Sequence, residues 1–445
     1  MIQIDISLPS GQSRSLQVPE SSKVGDLRII AQKSFQQGFL RLVTPKGRVL
    51  LDPEESLQTV GLKQGDYLTA LVLQIEIAST SRAFALYASG SGRISTWGPH
   101  QVGGDCFEVQ DQLRNIRQVQ NTLEAFAAIL ADGSVVAWGN PNCGGDCSAV
   151  QHRLKNVKHI HATKTAFAAI LANGSVVTWG DPNTGGDSSE VQDHFRNAQQ
   201  IQATFTSFAA IQADGTIVAW GMPRNGGDCS TVDDQLKNVE ELQATLGAFA
   251  AIRADRSIVT WGNPDIGGDS SAVKDQLKNV KQIQATDMAC AAILADGSVI
   301  TWGHPDSGGD SSAVKDQLKN VKHIQASEKA FAAIRPDGSI VTWGHSEYGG
   351  NSSAVQDQLT NVREIQATER AFAAILADGS VVAWGNPNAG SYIGPVISEK
   401  LKNVQRLAAS HGAFAAILSD GSVVSWGLHR YGGDNSAVQD QLVYL

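Results

Sequence analysis

Seven aspartates follow a Gly-Gly pair at regular intervals along the sequence. They are Asp105, Asp146, Asp187, Asp228, Asp269, Asp310 and Asp434, and Asn351 stands once at the equivalent position. Placed on one rim of a ring, a circle of carboxylates would attract a basic partner or cations. In the simpler interpretation each aspartate caps its own following turn, and GGDSS offers too few oxygen ligands for Ca²⁺. We therefore predict local capping, with an acidic rim as the alternative.

The histidines and cysteines do not form a motif for catalysis or for metal binding. Of ten histidines only His159 and His161 are near neighbours, on one face of a strand, and of five cysteines only Cys143 and Cys147 are close. Their spacing differs from the CxxC and Cys-His patterns of zinc sites. No nucleophile elbow, phosphate-binding loop or HExxH motif occurs. We therefore expect no catalytic residue, no cofactor and no metal.

The nine tryptophans mark an internal repeat. Each is followed by glycine, and they are spaced by 41 residues except for a last step of 42. They stand at Trp97, Trp138, Trp179, Trp220, Trp261, Trp302, Trp343, Trp384 and Trp426. Residues 1–74 contain no tryptophan. We therefore predict two domains, residues 1–74 and residues 75–445, the second built from nine copies of one 41-residue unit.

One unit, residues 156–196, contains three or four short extended segments. NVKHIHAT alternates apolar and polar residues, and AFAAIL and SVVTWG are two strands joined by Ala-Asn-Gly, which supplies the positive φ angles of a tight hairpin. Ser91-Gly92 and Asp255-Arg256 depart from the Asp-Gly or Asn-Gly turn, and the arginine costs about 1 kcal/mol. The segment SSAVQDQLKNV fits either an outer strand or a short capped helix. The pattern predicts a propeller or another closed or stacked β architecture.

These residues resemble the repeats of the regulator of chromosome condensation family. The shared pattern is V-x2-I-x-A, a strand of small residues, DGSVVxWG, a Gly-rich loop and V-x3-L, although the loop reads GGD rather than GQLG. The resemblance implies a propeller, with seven blades in that family. Nine units leave a nine-bladed ring, a propeller with surplus units and an open superhelix as alternatives. The Gly-Trp-Arg-His-Thr motif of the related ultraviolet-B receptor is absent, so we expect the tryptophans to pack between blades.

Residues 1–74 resemble ubiquitin. MIQIDISL and SRSLQVPE form a predicted hairpin, Ser21 or Ser22 caps a helix that ends near Phe35, and LRLVTPKGRVL and LKQGDYLTALVL supply the remaining strands. The resemblance implies an α+β, β-grasp fold and an apolar docking patch. The matching patch residues are Leu8, Val43 and Leu71. Because Gln74 runs into the repeats instead of a terminal Gly-Gly tail, we do not expect this domain to be conjugated to other proteins.

Charge and hydropathy restrict the expected partners. The net charge is -9, of which residues 1–74 contribute +1 and the repeats -10. We therefore expect no binding to nucleic acid or to anionic membranes. No stretch approaches the roughly 18 apolar residues of a membrane span, and MIQIDISLPSG lacks the features of a secretion signal. Together with the unpaired cysteines, this predicts an intracellular protein, cytoplasmic or nuclear.

The sequence leads to one main functional hypothesis. We expect a non-enzymatic protein-binding scaffold with a built-in ubiquitin-like module, and the ubiquitin resemblance implies a link to the ubiquitin pathway through its receptors. Partner contacts are expected at variable positions after Trp-Gly, such as Asn140, Asp181, Met222, His304 and His345. The resemblance implies two alternatives, guanine-nucleotide exchange on a small GTPase and an accessory role in a ubiquitin ligase.

Overall fold

The computed structural model describes residues 1–35, 40–50, 52–73, 75–88 and 94–436. These residues form a small α+β domain followed by a tandem series of three-stranded antiparallel sheets. One prediction, the Ser91-Gly92 turn, lies outside the described residues.

The amino-terminal domain is one five-stranded sheet packed on a helix. Its strands are β1 (Ile2–Ser7), β2 (Ser13–Val18), β3 (Leu40–Val43), β4 (Val49–Leu50) and β5 (Asp66–Val72), and its helices are α1 (Val24–Phe35) and α2 (Leu57–Val60). The sheet order is β2-β1-β5-β3-β4, with β1 parallel to β5. The predicted order of elements is therefore observed, with α2 added. The core forms because Ile4 and Ile6 alternate onto the sheet face that meets Leu27 and Phe35 of α1.

The described residues of the repeat region form nine three-stranded sheets in tandem. In chain order their strands are β6 (Ile75–Ser79), β7 (Phe84–Ala88), β8 (Ile94–Trp97); β9 (Ile116–Asn121), β10 (Ala125–Leu130), β11 (Val135–Gly139); β12 (Val157–Ala162), β13 (Ala166–Leu171), β14 (Val176–Gly180); β15 (Ala198–Ala203), β16 (Ser207–Gln212), β17 (Ile217–Gly221); β18 (Val239–Ala244), β19 (Ala248–Arg253), β20 (Ile258–Gly262); β21 (Val280–Ala285), β22 (Ala289–Leu294), β23 (Val299–Gly303); β24 (His323–Ala326), β25 (Ala330–Ile334), β26 (Ile340–Gly344); β27 (Val362–Ala367), β28 (Ala371–Leu376), β29 (Val381–Gly385); β30 (Val404–Ala409), β31 (Ala413–Leu418), β32 (Val423–Gly427).

The middle strand of each sheet packs against both neighbouring sheets. In β13, Phe167 and Ala169 belong to the cluster shared with the preceding sheet, whereas Ala166, Ala168 and Ile170 belong to the cluster shared with the following sheet. Side chains of a strand alternate between its two faces, so the small alanines let both neighbours approach closely. This explains why the AFAAIL segment has no polar face.

The segment between consecutive sheets contains short helices rather than a fourth strand. The 3-10 helices are His100–Val102, Phe107–Val109, Pro141–Cys143, Ser148–Val150, Pro182–Thr184, Ser189–His194, Pro223–Asn225, Ser230–Gln235, Pro264–Ile266, Ser271–Val273, Pro305–Ser307, Ser312–Gln317, Ser346–Tyr348, Ser353–Gln358, Pro387–Ala389 and His429–Tyr431. In the eighth unit the second of these is replaced by an α-helix, α3 (Pro395–Lys400). Gln151 Nε2 donates to Val135 O at 3.0 Å and so holds the segment along the outer strand of its sheet.

The tryptophans join consecutive units, as expected from their spacing. Each indole Nε1 donates to a glycine carbonyl in the loop of the preceding unit, at 2.9 to 3.2 Å. In eight units the indole also stacks on the phenylalanine of the same sheet, with ring centroids 5.1 to 5.3 Å apart. In the sixth unit Cys290 replaces that phenylalanine beside Trp302. The indole N–H thus binds one unit to the preceding one, while the ring packs on the phenylalanine of its own sheet.

The series of contacts returns to its starting point. Trp97 Nε1 of the first unit donates to Gly432 O of the last at 3.2 Å, and Ser79 Oγ donates to Ala409 O at 2.8 Å. Phe84 packs in one cluster with residues of β31, which is the pairing found between other neighbouring sheets. Leu73, at the end of the amino-terminal domain, packs against this same cluster. The first sheet is therefore the neighbour of the last.

Candidate binding site at the axial mouth

The turns between the first and second strands of all nine sheets surround one cavity of about 770 Å³. We call its entrance the axial mouth and define it by the residue that follows the Thr or Ser of each turn. In order around the ring these residues are Ser81, Leu123, Lys164, Phe205, Leu246, Asp287, Glu328, Glu369 and His411. Because one equivalent residue comes from each sheet, the mouth presents nine different positions on a constant frame.

Buried hydroxyls fix the shape of these turns. Thr163 Oγ1 accepts from the backbone N–H of Ala166 at 3.1 Å and donates to Thr184 O at 3.0 Å, which ties the turn to the loop that follows the third strand. Eight of the nine units share this bond to the loop carbonyl. A buried hydroxyl that bonds at both its hydrogen and its oxygen costs little desolvation and locks the backbone around it.

Neighbouring turns are also joined by backbone hydrogen bonds around the axial mouth. The N–H of Leu123 donates to Lys164 O at 3.0 Å, and that of Asp287 donates to Glu328 O at 3.0 Å. Equivalent bonds run without a break from Ser81 to His411. The frame therefore depends on backbone atoms and on the Thr or Ser hydroxyl, which leaves the side chains of the mouth free to vary between units.

The side chains divide the axial mouth into an apolar arc and an acidic arc. The apolar arc contains Leu123, Phe205 and Leu246, with Phe205 38 % exposed and Lys164 Nζ lying 4.9 Å from its ring centroid. The acidic arc consists of Asp287, Glu328 and Glu369 in three consecutive turns. The two arcs follow each other around the mouth, so a ligand in the cavity meets an apolar half and a negatively charged half.

The carboxyl groups of the acidic arc act on one another. Burial, together with the charges of Glu328 and Glu369 and a side-chain hydrogen bond with Glu328, raises the pKa of Asp287 to about 8, against a lowering effect of Lys329. Burial also raises the pKa of Glu369, and the charge of Glu328 acts in the same direction. His411 Nε2 lies 3.3 Å from Glu369 Oε1, but burial lowers the pKa of that histidine. The crowded carboxyl groups thus favour a protonated Asp287 at neutral pH.

Two cationic side chains from the turns of the acidic arc lie against one aromatic ring. Lys329 Nζ and the Arg370 guanidinium each lie 5.0 Å from the ring centroid of Tyr348, in the loop of the seventh unit. Cations held over an aromatic ring are stabilised by the ring's charge distribution. Tyr348 itself is 8 % exposed. The cations thus belong to the frame of the site rather than to its opening.

The Gly-Gly-Asp residues lie at the starts of the outer helical turns. Asp146 Oδ1 accepts from the backbone N–H of Ser148 at 2.8 Å, and Asp187, Asp228, Asp269, Asp310 and Asp434 make the same bond two residues ahead. Asp105 accepts from Phe107 N–H, and Asn351 accepts from Ser353 N–H in the same way. This geometry is that of the local cap. A role of these aspartates as an acidic rim is not tested by their positions.

The predicted docking residues of the amino-terminal domain do not share one surface. Leu8 is 7 % exposed and packs in the core, so the structure corrects its assignment to an exposed patch. Leu71 is 39 % exposed and Val43 is half-buried. Strand pairing of Arg41 with Leu71 and of Val43 with Thr69 places Leu71 and Val43 on the same face of the sheet. Sequence matching missed the burial of Leu8 because it reports residue type and not exposure.

The predicted positions after Trp-Gly adjoin the axial mouth. Asn140 Nδ2 donates to Glu124 Oε2 of the neighbouring turn at 2.7 Å, and Thr165 Oγ1 donates to Asp181 Oδ2 at 3.4 Å. Met222, His304 and His345 begin equivalent loops in other units. The mouth residues themselves were missed by sequence reasoning. The sequence could have indicated them, because the pair of residues after the Thr or Ser is different in every unit while the flanking strands barely change.

The remaining candidates do not assemble into a reactive site. His159 and His161 pair with Ile170 and Ala168 across the sheet, and burial lowers the pKa of His161 to about 4. Cys143 and Cys147 are free thiols whose pKa values burial raises to about 11. In the described part of the chain, no three His, Cys, Asp or Glu side chains are grouped as metal ligands. The same residues include no helix of the length and apolarity that a membrane span requires.

Comparison with known proteins yields structural likenesses alone. No protein-family model and no curated protein matches the chain. Prp20p from Saccharomyces cerevisiae, in a structure described with its binding properties to Gsp1p and histones, is similar at 15 % identity and a TM-score of 0.38, covering 71 % of this chain and 83 % of its own. The computationally designed protein Ika8 covers 80 % of this chain and 100 % of its own, at 12 % identity and a TM-score of 0.36.

A third solved structure is human WBSCR16. It is 14 % identical with a TM-score of 0.33, and the match covers 84 % of this chain and 92 % of that protein. Each of these likenesses is below 25 % identity and has a TM-score below 0.5, so none assigns an activity to the chain. The case for function therefore depends on the geometry of the axial mouth.

Proposed function

We propose that this chain is a non-enzymatic protein-binding scaffold and that the axial mouth is its partner-binding surface. The proposal depends on one observation: the backbone of the nine turns is constant, whereas the side chains at the cavity entrance vary. Nine turns share their backbone bonds and their Thr or Ser hydroxyl, yet together they present seven different residue types to one cavity of about 770 Å³. Repeat proteins create binding surfaces in this way, by varying residues on a constant core.

The proposed frame is a single nine-bladed propeller. The support is that each sheet contacts its two neighbours through the same tryptophan-to-glycine bond, including Trp97 to Gly432 between the first and last units. A closed ring removes the exposed sheet ends that an open array would present. It also gives the mouth a fixed diameter, which a rigid binding surface requires.

We further propose that residues 1–73 act as a ubiquitin-like module. The support is the order of two strands, a helix, two strands and a last strand, on which the resemblance rests. The face that carries Val43 and Leu71 also holds Tyr67 and Val49, 45 % and 36 % exposed, and is the docking surface of this module. Exchange on a small GTPase and participation in a ubiquitin ligase remain predictions from resemblance, and accelerated nucleotide release from a GTPase tests the first.

Protein capture by the full chain tests the proposed scaffold role. Wild type, a mouth variant with Phe205→Ser and Leu246→Ser, and a control with Asp187→Asn and Asp228→Asn are immobilised and exposed to one cell extract. The control is matched because Asn351 already fills that position. We expect the mouth variant to lose retained proteins by about tenfold, as when an interface loses its apolar anchors, and the control to keep them. Equal retention by all three proteins contradicts the proposal.

A further inference from the structure

The arcs of the axial mouth differ enough to define the chemistry of a ligand. Resting on the proposed function, we propose that the mouth binds an extended segment of a partner protein that carries one apolar side chain and, a few residues away, an arginine or lysine. The apolar side chain lies against Leu123, Phe205 and Leu246, and the cation lies against Asp287, Glu328 and Glu369. This occupant follows from shape and charge complementarity alone.

The apolar arc supplies the anchor position. Phe205 is 38 % exposed, whereas the phenylalanines of the middle strands, such as Phe167 and Phe208, are fully buried. Leu246 follows Phe205 around the cavity wall, Leu123 lies on its other side beyond Lys164, and both leucines are half-buried. An apolar side chain placed between them removes apolar surface of both partners from water, which favours binding. An aromatic residue with a concave apolar wall is a typical interface anchor.

The acidic arc supplies the position for the cation. Asp287 and Glu328 share a side-chain hydrogen bond, and Glu369 lies in the next turn with His411 Nε2 at 3.3 Å. Lys329 is held over Tyr348. An incoming guanidinium brings up to five N–H donors to Glu328, Glu369 and the carboxyl group of Asp287 in a half-buried site, where charge-assisted bonds are strong. The same charges repel acidic segments, nucleic acid and anionic surfaces.

The order of the arcs also restricts how the segment enters. Leu246 and Asp287 are consecutive positions of the mouth, joined by the backbone bond from Leu246 N–H to Asp287 O at 2.9 Å. The boundary between the apolar and acidic arcs therefore lies at one place in the wall. A segment with its apolar side chain and its cation a few residues apart reaches across that boundary, whereas a segment with either group alone satisfies one half of the mouth.

Defined peptides test this inference on the full chain. The probes are fluorescein-labelled, amidated Gly-Ser peptides that carry one leucine and one arginine separated by one to five glycines, measured by fluorescence anisotropy. Matched peptides replace arginine with glutamate, or leucine with serine. The protein variants are Glu328→Gln with Glu369→Gln, Phe205→Ser with Leu246→Ser, and the control Asp187→Asn with Asp228→Asn. Circular dichroism and the melting temperature establish that each variant is folded.

We expect the protein to bind the Leu-Arg peptide with the best spacing more tightly than it binds the matched peptides. The Glu328→Gln, Glu369→Gln variant should bind this peptide about tenfold or more weakly than wild type does. Replacing the peptide's arginine with glutamate should weaken binding to the wild-type protein by a similar factor. The control variant should bind the Leu-Arg peptide as tightly as wild type does. The affinity also falls as salt is added, since the cation is attracted by charge. Equal binding of the arginine and glutamate peptides, or no binding at any spacing, overturns the inference. If proteins are still captured through the mouth in that case, the scaffold role stands without this ligand chemistry.

Discussion

Arg256 occupies a position that glycine holds in the seven other described hairpin turns of the repeats. Its φ is 64°, in the left-handed region that is unfavourable for a residue with a Cβ. At the equivalent Gly215 an added Cβ would lie 2.8 Å from Asn238 Cα of the next unit. The backbone strain at Arg256 is partly offset by two ion pairs, because its guanidinium lies 3.2 Å from Glu240 and 3.9 Å from Glu241. Exposed pairs of this kind contribute little to stability.

We expect Arg256→Gly to stabilise the protein. The substitution relieves the left-handed strain and the contact with the next unit, and it loses two exposed ion pairs, for a net gain of about 0.5 to 1 kcal/mol in the free energy of unfolding. Thermal unfolding of both proteins measures the change. The reverse substitution Gly215→Arg is the control and should lower the melting temperature. A lower melting temperature for Arg256→Gly would show that the ion pairs outweigh the backbone strain.

At the scale of the structural element, the turn between the first and second strands has two separable parts. The Thr or Ser hydroxyl and the backbone bonds to the adjacent turns set its shape, as Thr163 and its bond to Thr184 O illustrate. The following residue, such as Asp287, faces the cavity and sets the local electrostatics. Substituting this following residue should therefore alter partner binding and the pH dependence of stability while the sheet remains intact.

Asp287→Asn should remove a pH dependence of stability. The pKa of Asp287 is raised from 3.8 to about 8 by burial and by Glu328 and Glu369. As pH rises from about 4, the unfolded chain loses this proton before the folded chain does, so the stability that Asp287 confers at low pH is lost progressively up to about pH 8. The variant should thus exceed wild type by at least about 1 kcal/mol at pH 8 and match it near pH 4. Melting temperatures across this range measure the effect.

Asp187→Asn is the control for that prediction. Its side chain caps an outer helical turn through Ser189 N–H, and asparagine makes the same bond at Asn351. The control should follow the wild-type pH profile throughout. If Asp287→Asn also follows the wild-type profile, its carboxyl is not the group held protonated in the mouth.

The elements that the sequence predicted are those governed by local chemistry. The glycine at position 174 marks its hairpin because the turn needs a positive φ, and the 41-residue tryptophan spacing marks the units because each indole meets the same environment. The SSAVQDQLKNV segment stayed undecided because its residues suit both a strand and a helix. The contact of Gln151 with Val135 O belongs to the tertiary structure and favours the helical form.

The candidate site was harder to predict because it is assembled from nine distant turns. No local signal states which strand ends converge on an axis, so the positions after Trp-Gly were preferred over Asp287 or Phe205. The variation of the turn residues between units was visible, but it acquires meaning only when one cavity brings them together. Leu8 failed as an exposed residue for a related reason, since burial depends on the whole domain.

At the scale of the whole molecule, the proposed closed ring gives every unit a neighbour on both sides. The first strands contact each other in succession and β30 contacts β6. Arg406 Nη1 lies 3.0 Å from Glu76 Oε1 across the same boundary. A ring has no terminal unit without a neighbour, whereas an open array has two.

Substitution of Trp97 tests closure directly. In a ring, Trp97→Ala removes the same packing and the same indole bond as Trp179→Ala, and each should lower the free energy of unfolding by about 3 to 5 kcal/mol. In an open array Trp97 would lack a preceding unit, and its loss would cost much less than that of Trp179. Melting temperatures of the two variants compare these outcomes. A marked difference between them would contradict a closed ring.

Site-specific photocross-linking shows whether partners bind at the axial mouth. The photoreactive residue p-benzoylphenylalanine replaces Phe205 in the mouth or, in a matched control, Phe107, which is 82 % exposed in an outer helical turn. Each full chain is irradiated in cell extract, and its adducts are identified by mass spectrometry. If partners bind at the axial mouth, we expect partner adducts from position 205 and none from position 107. Adducts from position 107 alone, or equally from both, would contradict binding there.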